Sequence, residues 1–189
     1  MNKLKYFSIL FFSLAILVGC KKRDTFENNT FSDKTFNWQI TIPDDYEKVN
    51  QKENGEIKGD TTLINKEYSI VAFKRDKANY FAANYENYSG DVRSTDLKMR
   101  LKDFLFLKNI GQVYPQGQMG DYKVTSENIS GLEFRKAKIS ITEKGKTLAT
   151  AVIFSRTFNG KIFIASIVYE NEDYGKEMID LFKKSTFKE

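Results

Sequence analysis

The chain has 189 residues, with 30 Lys and Arg against 25 Asp and Glu, one cysteine and no histidine. That length suits one domain with a substantial core and is small for two. Without histidine there is no usual general base, no usual zinc ligand and no Ser-His or Cys-His nucleophile pair, and one cysteine leaves no internal disulfide.

Lys3 and Lys5 open a short basic segment, and Tyr6 to Val18 is an apolar run interrupted only by Ser8 and Ser13. The run falls short of the ~20 apolar residues that a permanent spanning helix needs, and its layout is that of a secretory signal. Leu17-Val18-Gly19-Cys20 closes it and resembles the lipobox of bacterial lipoproteins. The resemblance implies cleavage between Gly19 and Cys20, so that residues 1–19 are a signal peptide and Cys20 is the lipidated N-terminus. Its sulfur becomes a thioether, which leaves the mature chain without a thiol. Removing Lys3 and Lys5 lowers the formal charge from +5 to about +3. A weak excess spread along the chain is ordinary solvated surface and carries no nucleic-acid expectation.

Residues 20–34 are the lipidated cysteine and a polar tether in which Phe26 and Phe31 stand isolated. Its 14 residues from Lys21 to Lys34 would have a root-mean-square reach of ~20 Å if flexible. Residues 35–189 are expected to form a single α+β domain. Phe36, Trp38, Ile40 and Ile42 alternate with polar residues as in a half-buried strand, which Pro43-Asp44-Asp45 stops. Asn50 to Asp60 is a charged loop. Tyr68 to Lys74 is a second strand, with Leu63 and Ile64 as an optional earlier start. Asn79 to Tyr88 is an aromatic-rich third strand.

Ser94-Thr95-Asp96 supplies cap chemistry for a helix with Leu97, Leu101, Phe104 and Leu105 along one face and Gly111 as its stop. Phe106 and Leu107 widen that stripe, so the helix is expected to be covered on more than one side. Gly111 to Gly120 reads as a loop. Leu132 to Ile141 is a strand whose apolar parity switches, which predicts a bulge near Arg135. Thr142 to Gly145 turns into a strand from Thr147 to Phe158. Asn159-Gly160 then marks a type I′ hairpin, because both central residues need positive φ. The returning strand, Lys161 to Tyr169, is apolar on both faces and must be covered on both. Asn171-Glu172-Asp173 caps a last helix with Tyr174, Met178, Leu181 and Phe182 as its buried stripe. Phe187 is expected to tuck back.

An opening strand running into Ile42-Pro43, a mid-chain helix, an antiparallel meander and a C-terminal helix ending Ser185-Thr186-Phe187 resemble the PsbP-like α/β/α sandwich. The resemblance implies an antiparallel β-sheet covered by helices on both faces. It also implies a binding role, since understood members include an extrinsic photosystem subunit and a binder of a nuclear GTPase. The abundance of Lys, Asn, Ile, Phe and Tyr resembles the coding of AT-rich Bacteroidota genomes.

Several clusters invite a chemical reading. Asp44-Asp45 is better explained as a turn than as an acid pair, and Glu170, Glu172 and Asp173 as helix capping than as a calcium loop. Gly117 to Gly120 is too short for a phosphate cradle. Asp60-Thr61-Thr62 matches a loose glycosylation pattern. Tyr80, Phe81, Tyr85 and Tyr88 are the candidate interaction surface, with Phe81 and Tyr85 on one strand face and Tyr80 and Tyr88 on the other. Neither a metal nor a cofactor is expected.

The sequence therefore predicts a membrane-anchored, non-catalytic envelope lipoprotein that binds a protein or envelope component. Alternatives are a small-molecule or lipid binder with a pocket between sheet and helix, and a carboxylate-based hydrolase. Lys21 and Lys22 follow the cysteine, without the aspartate that retains enterobacterial lipoproteins in the inner membrane or the acidic tag of some Bacteroidota surface lipoproteins; that resemblance implies the outer membrane, facing the periplasm.

Overall fold

In the computed structural model, which describes residues 25–49, 67–90 and 92–188, strand pairing begins at the N-terminal edge of the described chain. β1 (Thr25–Glu27) and β2 (Thr30–Asp33) form a hairpin, and β3 (Trp38–Thr41) pairs with β2. The short β4 (Glu47–Lys48) leads to β5 (Glu67–Lys74), which pairs antiparallel with β6 (Tyr80–Asn87). α1 (Val92–Val113) follows, then the short β7 (Gln118–Met119), β8 (Lys123–Ile129) and β9 (Leu132–Glu143). β10 (Lys146–Phe158), β11 (Lys161–Tyr169), α2 (Glu172–Lys184) and β12 (Thr186–Phe187) complete the chain.

One sheet runs β4-β5-β6-β11-β10-β9-β7, with β8 also paired to β9; the smaller sheet runs β1-β2-β3-β12. β10 and β11 are at the centre of the large sheet. Their turn is the expected hairpin, with Asn159 at φ 39° and Gly160 at φ 76°. Ala83, Ala165 and Phe154 share one face of this sheet across three strands, and Ala82, Ser166 and Ile153 the other. The first face packs on α2 and the small sheet through Trp38, Phe163, Phe182 and Phe187, all buried. The second packs on α1 through Leu107, Ile110, Ile139, Ala151 and Val168. An antiparallel sheet covered on both faces is the architecture expected from the apolar strands.

α2 shows how local chemistry fixes an element. The Asn171 side chain accepts from the amides of Asp173 and Tyr174, Glu172 and Asp173 occupy the positive first turn, and Lys183 and Lys184 the last. Beyond it, Ser185 accepts a 2.8 Å hydrogen bond from the Trp38 indole and donates to the Phe182 carbonyl. Phe187 stacks at 5.9 Å on the same Trp38 ring. The chain end and the first core strand are thus bonded together.

Four expectations are corrected. The tether was expected to reach Lys34, but β1 and β2 occupy Thr25 to Asp33, and Phe31 is buried edge-on against Trp38. Their turn uses Asn28 and Asn29 at φ 46° and 63°, a conformation asparagine tolerates. α1 starts at Val92, so Ser94, Thr95 and Asp96 lie inside it; it also runs through Gly111 and ends just before Pro115. No bulge occurs near Arg135, which pairs in regular register with Ser155; the irregularity is between Thr147 and Ala149. The parity switch arises because β9 is buried on both sides, with Phe134 toward α2 and Ala137, Ile139 and Ile141 toward α1. β8 was missed, although Ser130-Gly131, both at positive φ, make its turn into β9. Leu63, Ile64 and the Asn50 to Asp60 loop lie outside the described residues.

Candidate interaction face on helix α1

α1 buries the side that the sequence pattern did not favour. Met99, Asp103, Leu107 and Ile110 face the sheet, whereas Leu97, Leu101 and Phe104 are 69%, 38% and 58% exposed. Both sets follow helical spacing, so periodicity alone could not choose between them. Chemistry on the sheet decides. Under the C-terminal half of α1 the strands offer Ile139, Ala151 and Val168, and Leu107 and Ile110 fill that space. Under the N-terminal half they offer Glu86, Ser155 and Arg135, which call for polar partners.

Those partners come from α1. Glu86 on β6 is fully buried, with Lys98 Nζ 3.0 Å from one carboxylate oxygen and Lys102 Nζ 3.0 Å from the other. Lys102 also reaches Glu67 on β5 at 2.5 Å. On the other flank, Arg135 of β9 contacts Asp103 at 2.6 Å, and the Tyr122 hydroxyl donates to the same carboxylate. Arg135 in turn donates to the Tyr122 hydroxyl at 2.7 Å. Burial raises the Asp103 carboxyl above its ordinary value, against the lowering pull of Tyr122 and Arg135. Burial likewise raises Tyr122, reinforced by Asp103. Between the two charged clusters Ser155 donates to the Met99 sulfur. These carboxylates are each held by cations, which makes them anchors of the helix.

The outward face of α1 is the result. Of the eight large hydrophobic side chains that are exposed among the described residues, seven fall between Leu97 and Val124: four on α1, and Met119, Tyr122 and Val124 from β7 to the start of β8. Leu97, Leu101 and Phe104 fall at helical spacing on one face of α1 and form a ridge. Exposed apolar side chains grouped on one face mark a contact surface more often than scattered ones do.

The sequence-predicted aromatics do not form one surface. β6 lies between β5 and β11, not at an edge. Phe81 is fully buried, stacked at 4.6 Å on Phe73, and Tyr85 packs edge-on to Phe36 at 5.4 Å. On the opposite face Tyr80 joins the α1 core, and the Lys98 ammonium sits 4.7 Å from the Tyr88 ring centre. Asp44 accepts from Asn29, and Asp45 pairs with Arg75, so this acid pair is divided between two structural contacts. Glu170 accepts from the Tyr114 hydroxyl, while Glu172 and Asp173 open α2. Gly117 to Gly120 lies against β9, with Gly120 donating to the Ser140 carbonyl. Gly19, Cys20 and Asp60-Thr61-Thr62 lie outside the described residues.

Among the described residues, grooves at two places are open to solvent. One, of about 550 Å3, lies between the β5–β6 turn and the start of α2, lined by Asp76, Asn79, Glu170, Asn171 and Tyr174. Its polar groups are bound to one another: Asn79 donates to Asp76 and accepts from the amides of Glu170 and Asn171. The other, of about 340 Å3, lies beside Met99, Ser155 and Arg135. Among the described residues no cluster of three or more acids is placed to hold a metal, and no helix is long and apolar enough to cross a membrane.

No family model matches this chain, and no curated protein does. Among solved structures it is similar to the solution structure of cyanobacterial PsbP (CyanoP) from Synechocystis sp., with a TM-score of 0.55 at 12% identity. The match covers 84% of this chain and 91% of that one. At that identity the likeness carries the fold, and the chain has a PsbP-like α/β/α architecture.

Proposed function

We propose that this chain is a lipoprotein anchored at Cys20, facing the periplasm from the outer membrane, whose single domain binds a protein or envelope component without catalysis. The observation that carries the reading is the exposed ridge Leu97–Leu101–Phe104 on a helix whose inner face is held by ion pairs. The anchor rests on the lipobox-like Leu17-Val18-Gly19-Cys20 after an apolar run. Only Lys21 to Asp24 separate Cys20 from Thr25, so the link spans at most ~18 Å even when extended. A lipidated Cys20 would hold the β1 edge close to the bilayer. The small sheet packs on the face of the large sheet opposite α1, so the ridge would face away from that edge. The ridge would then be open to a partner alongside the domain.

The same packing weighs against a ligand held between sheet and helix, because Leu107, Ile110, Ile139 and Val168 fill that space. The test is gentle cross-linking in the native envelope, followed by capture of the tagged full chain with and without Leu101→Glu. A captured species lost in the variant supports the reading; an identical set from both chains overturns the assignment to the ridge. Mass spectrometry showing an intact, unlipidated Cys20 in the mature protein would remove the anchor.

A further inference from the structure

We infer that the ridge on α1 pairs with the same ridge of a second copy, helix against helix and antiparallel, which deepens the proposal that this face is a binding surface. The spacing is the first ground. Leu97, Leu101, Phe104 and Lys108 follow one another at intervals of four, three and four residues. That is the d-a-d-a seam of a two-helix contact, offered to solvent by a helix of 22 residues. Leu97, Leu101 and Phe104 are all exposed, while their neighbours Lys98, Lys102 and Asp103 are tied down to the sheet. The helix cannot roll to bury the ridge without breaking those pairs.

Charge is the second ground, and it selects the partner and the direction. The seam has an acid at its first end, Asp96, and a base at its last, Lys108; both are exposed. Lys108 has no ion pair among the described residues, and Asp96 bonds only with Arg100 and, at 3.9 Å, with Arg135. Parallel pairing in register would set Lys108 against its own copy. Antiparallel pairing sets Leu101 against Phe104 of the partner subunit, twice, in the middle of the contact. At each end the Lys108 stem lies over Leu97 of the partner subunit, with its ammonium beside Asp96 of the partner subunit. The two helix dipoles also oppose. A seam that is complementary to itself when reversed needs no other protein to complete it, and it closes as a two-fold dimer.

Three apolar side chains a copy fall well short of the ~800 Å2 per partner of a standard stable interface. The dimer is therefore weak in dilute solution. Anchoring both copies at one surface raises their effective concentration without any added contact.

The test co-expresses two differently tagged full-length chains, cross-links them in the intact envelope where both are anchored, then solubilises them in mild detergent and measures co-purification. Three pairs are compared: wild type with wild type, Leu101→Lys/Phe104→Lys with itself, and Leu101→Glu/Phe104→Glu with itself. The mixed pair of Lys and Glu variants is the fourth. Wild-type copies should co-purify. Each like-charged pair should lose the signal by about tenfold or more, and the mixed pair should regain it. Trp38 fluorescence reports that each variant has kept its core. Absence of wild-type co-purification, its persistence in both like-charged pairs, or failure of the mixed pair to recover would each overturn self-pairing. Envelope cross-links to another protein at Leu101 would leave the binding-surface proposal standing in all three cases.

Discussion

Which side of α1 is buried can be settled by three substitutions. Leu107 is 3% exposed between Ile139, Ala151 and Val168, so Leu107→Ala removes three buried carbons and leaves a cavity. At ~0.8 kcal/mol for each buried methylene plus the cavity term, the cost is about 3 kcal/mol. Leu97 is 69% and Phe104 58% exposed, so Leu97→Gln and Phe104→Gln give up only the buried remainder of each side chain. Gln keeps the helix preference, and each change should cost about 0.5 kcal/mol and less than ~1. Urea unfolding followed by the fluorescence of Trp38, the sole and fully buried tryptophan, reads these values at protein concentrations too dilute for association. With a slope near ~2 kcal/mol per molar, Leu107→Ala should lower the midpoint by about 1.5 M and the ridge variants by about 0.3 M. A midpoint shift for Phe104→Gln as large as that for Leu107→Ala would put the ridge against the sheet and remove the ground for both proposals above.

Three further outcomes follow from individual contacts. Glu86→Gln leaves the Lys98 and Lys102 ammoniums without the buried carboxylate they share, and thermal or urea unfolding should show a loss of about 3 kcal/mol; a loss below ~1 kcal/mol would mean water already screens the cluster. A Cβ at Gly175 would overlap the buried Tyr169 ring, so Gly175→Ala should destabilise by about 2 kcal/mol despite the ~1 kcal/mol helix preference of alanine; a stabilised variant would show that the ring can move. Hydrogen bonds from Lys183 and Lys136 hold the Glu127 carboxyl below its ordinary value of 4.5, tying α2 and β9 to β8. Its lowered folded value means a contribution present above pH 4.5 and lost as pH falls, so the stability gap between wild type and Glu127→Gln should be constant near neutrality and shrink in acid; a gap that widens in acid would reverse the assignment.

Elements carried by local chemistry were legible in the sequence. Asn159-Gly160, Asn171 at the head of α2 and the doubly apolar Lys161 to Tyr169 strand each state their geometry within a few residues. β1, β2 and β8 were not read, for a different reason in each part of the chain. Thr25 to Asp33 is polar overall, and only Phe31 enters the core; Asn28-Asn29 was the available turn signal. β8 is almost wholly exposed, so it has no alternation to detect, and it is held by pairing with β9. α1 was recognised as a helix but assigned the wrong inner face. Its buried side includes Asp103 and is flanked by Lys98 and Lys102, residue types that a hydrophobic count places in solvent. Their partners Glu86 and Arg135 are distant in sequence, and no local pattern announces them.

The inner face of α1 is where the chain departs from the most apolar packing open to it. Burying Leu97, Leu101 and Phe104 fully would contribute about 3 kcal/mol beyond what they now provide, taking 1.5–3 kcal/mol for each large apolar side chain in proportion to its exposure. The buried pairs of Glu86 and Asp103 contribute little net stability in exchange, because desolvation offsets most of their attraction. An ion-paired interior does supply something an apolar one does not: it is directional and fixes the rotation of the helix, since Lys98 and Lys102 must meet Glu86 while Asp103 meets Arg135. With rotation fixed, the apolar seam is held outward in one orientation. Under the proposals above, a helix that sacrifices burial to hold a hydrophobic seam in solvent is arranged for a contact made after folding, through the exposed Leu97–Leu101–Phe104 ridge.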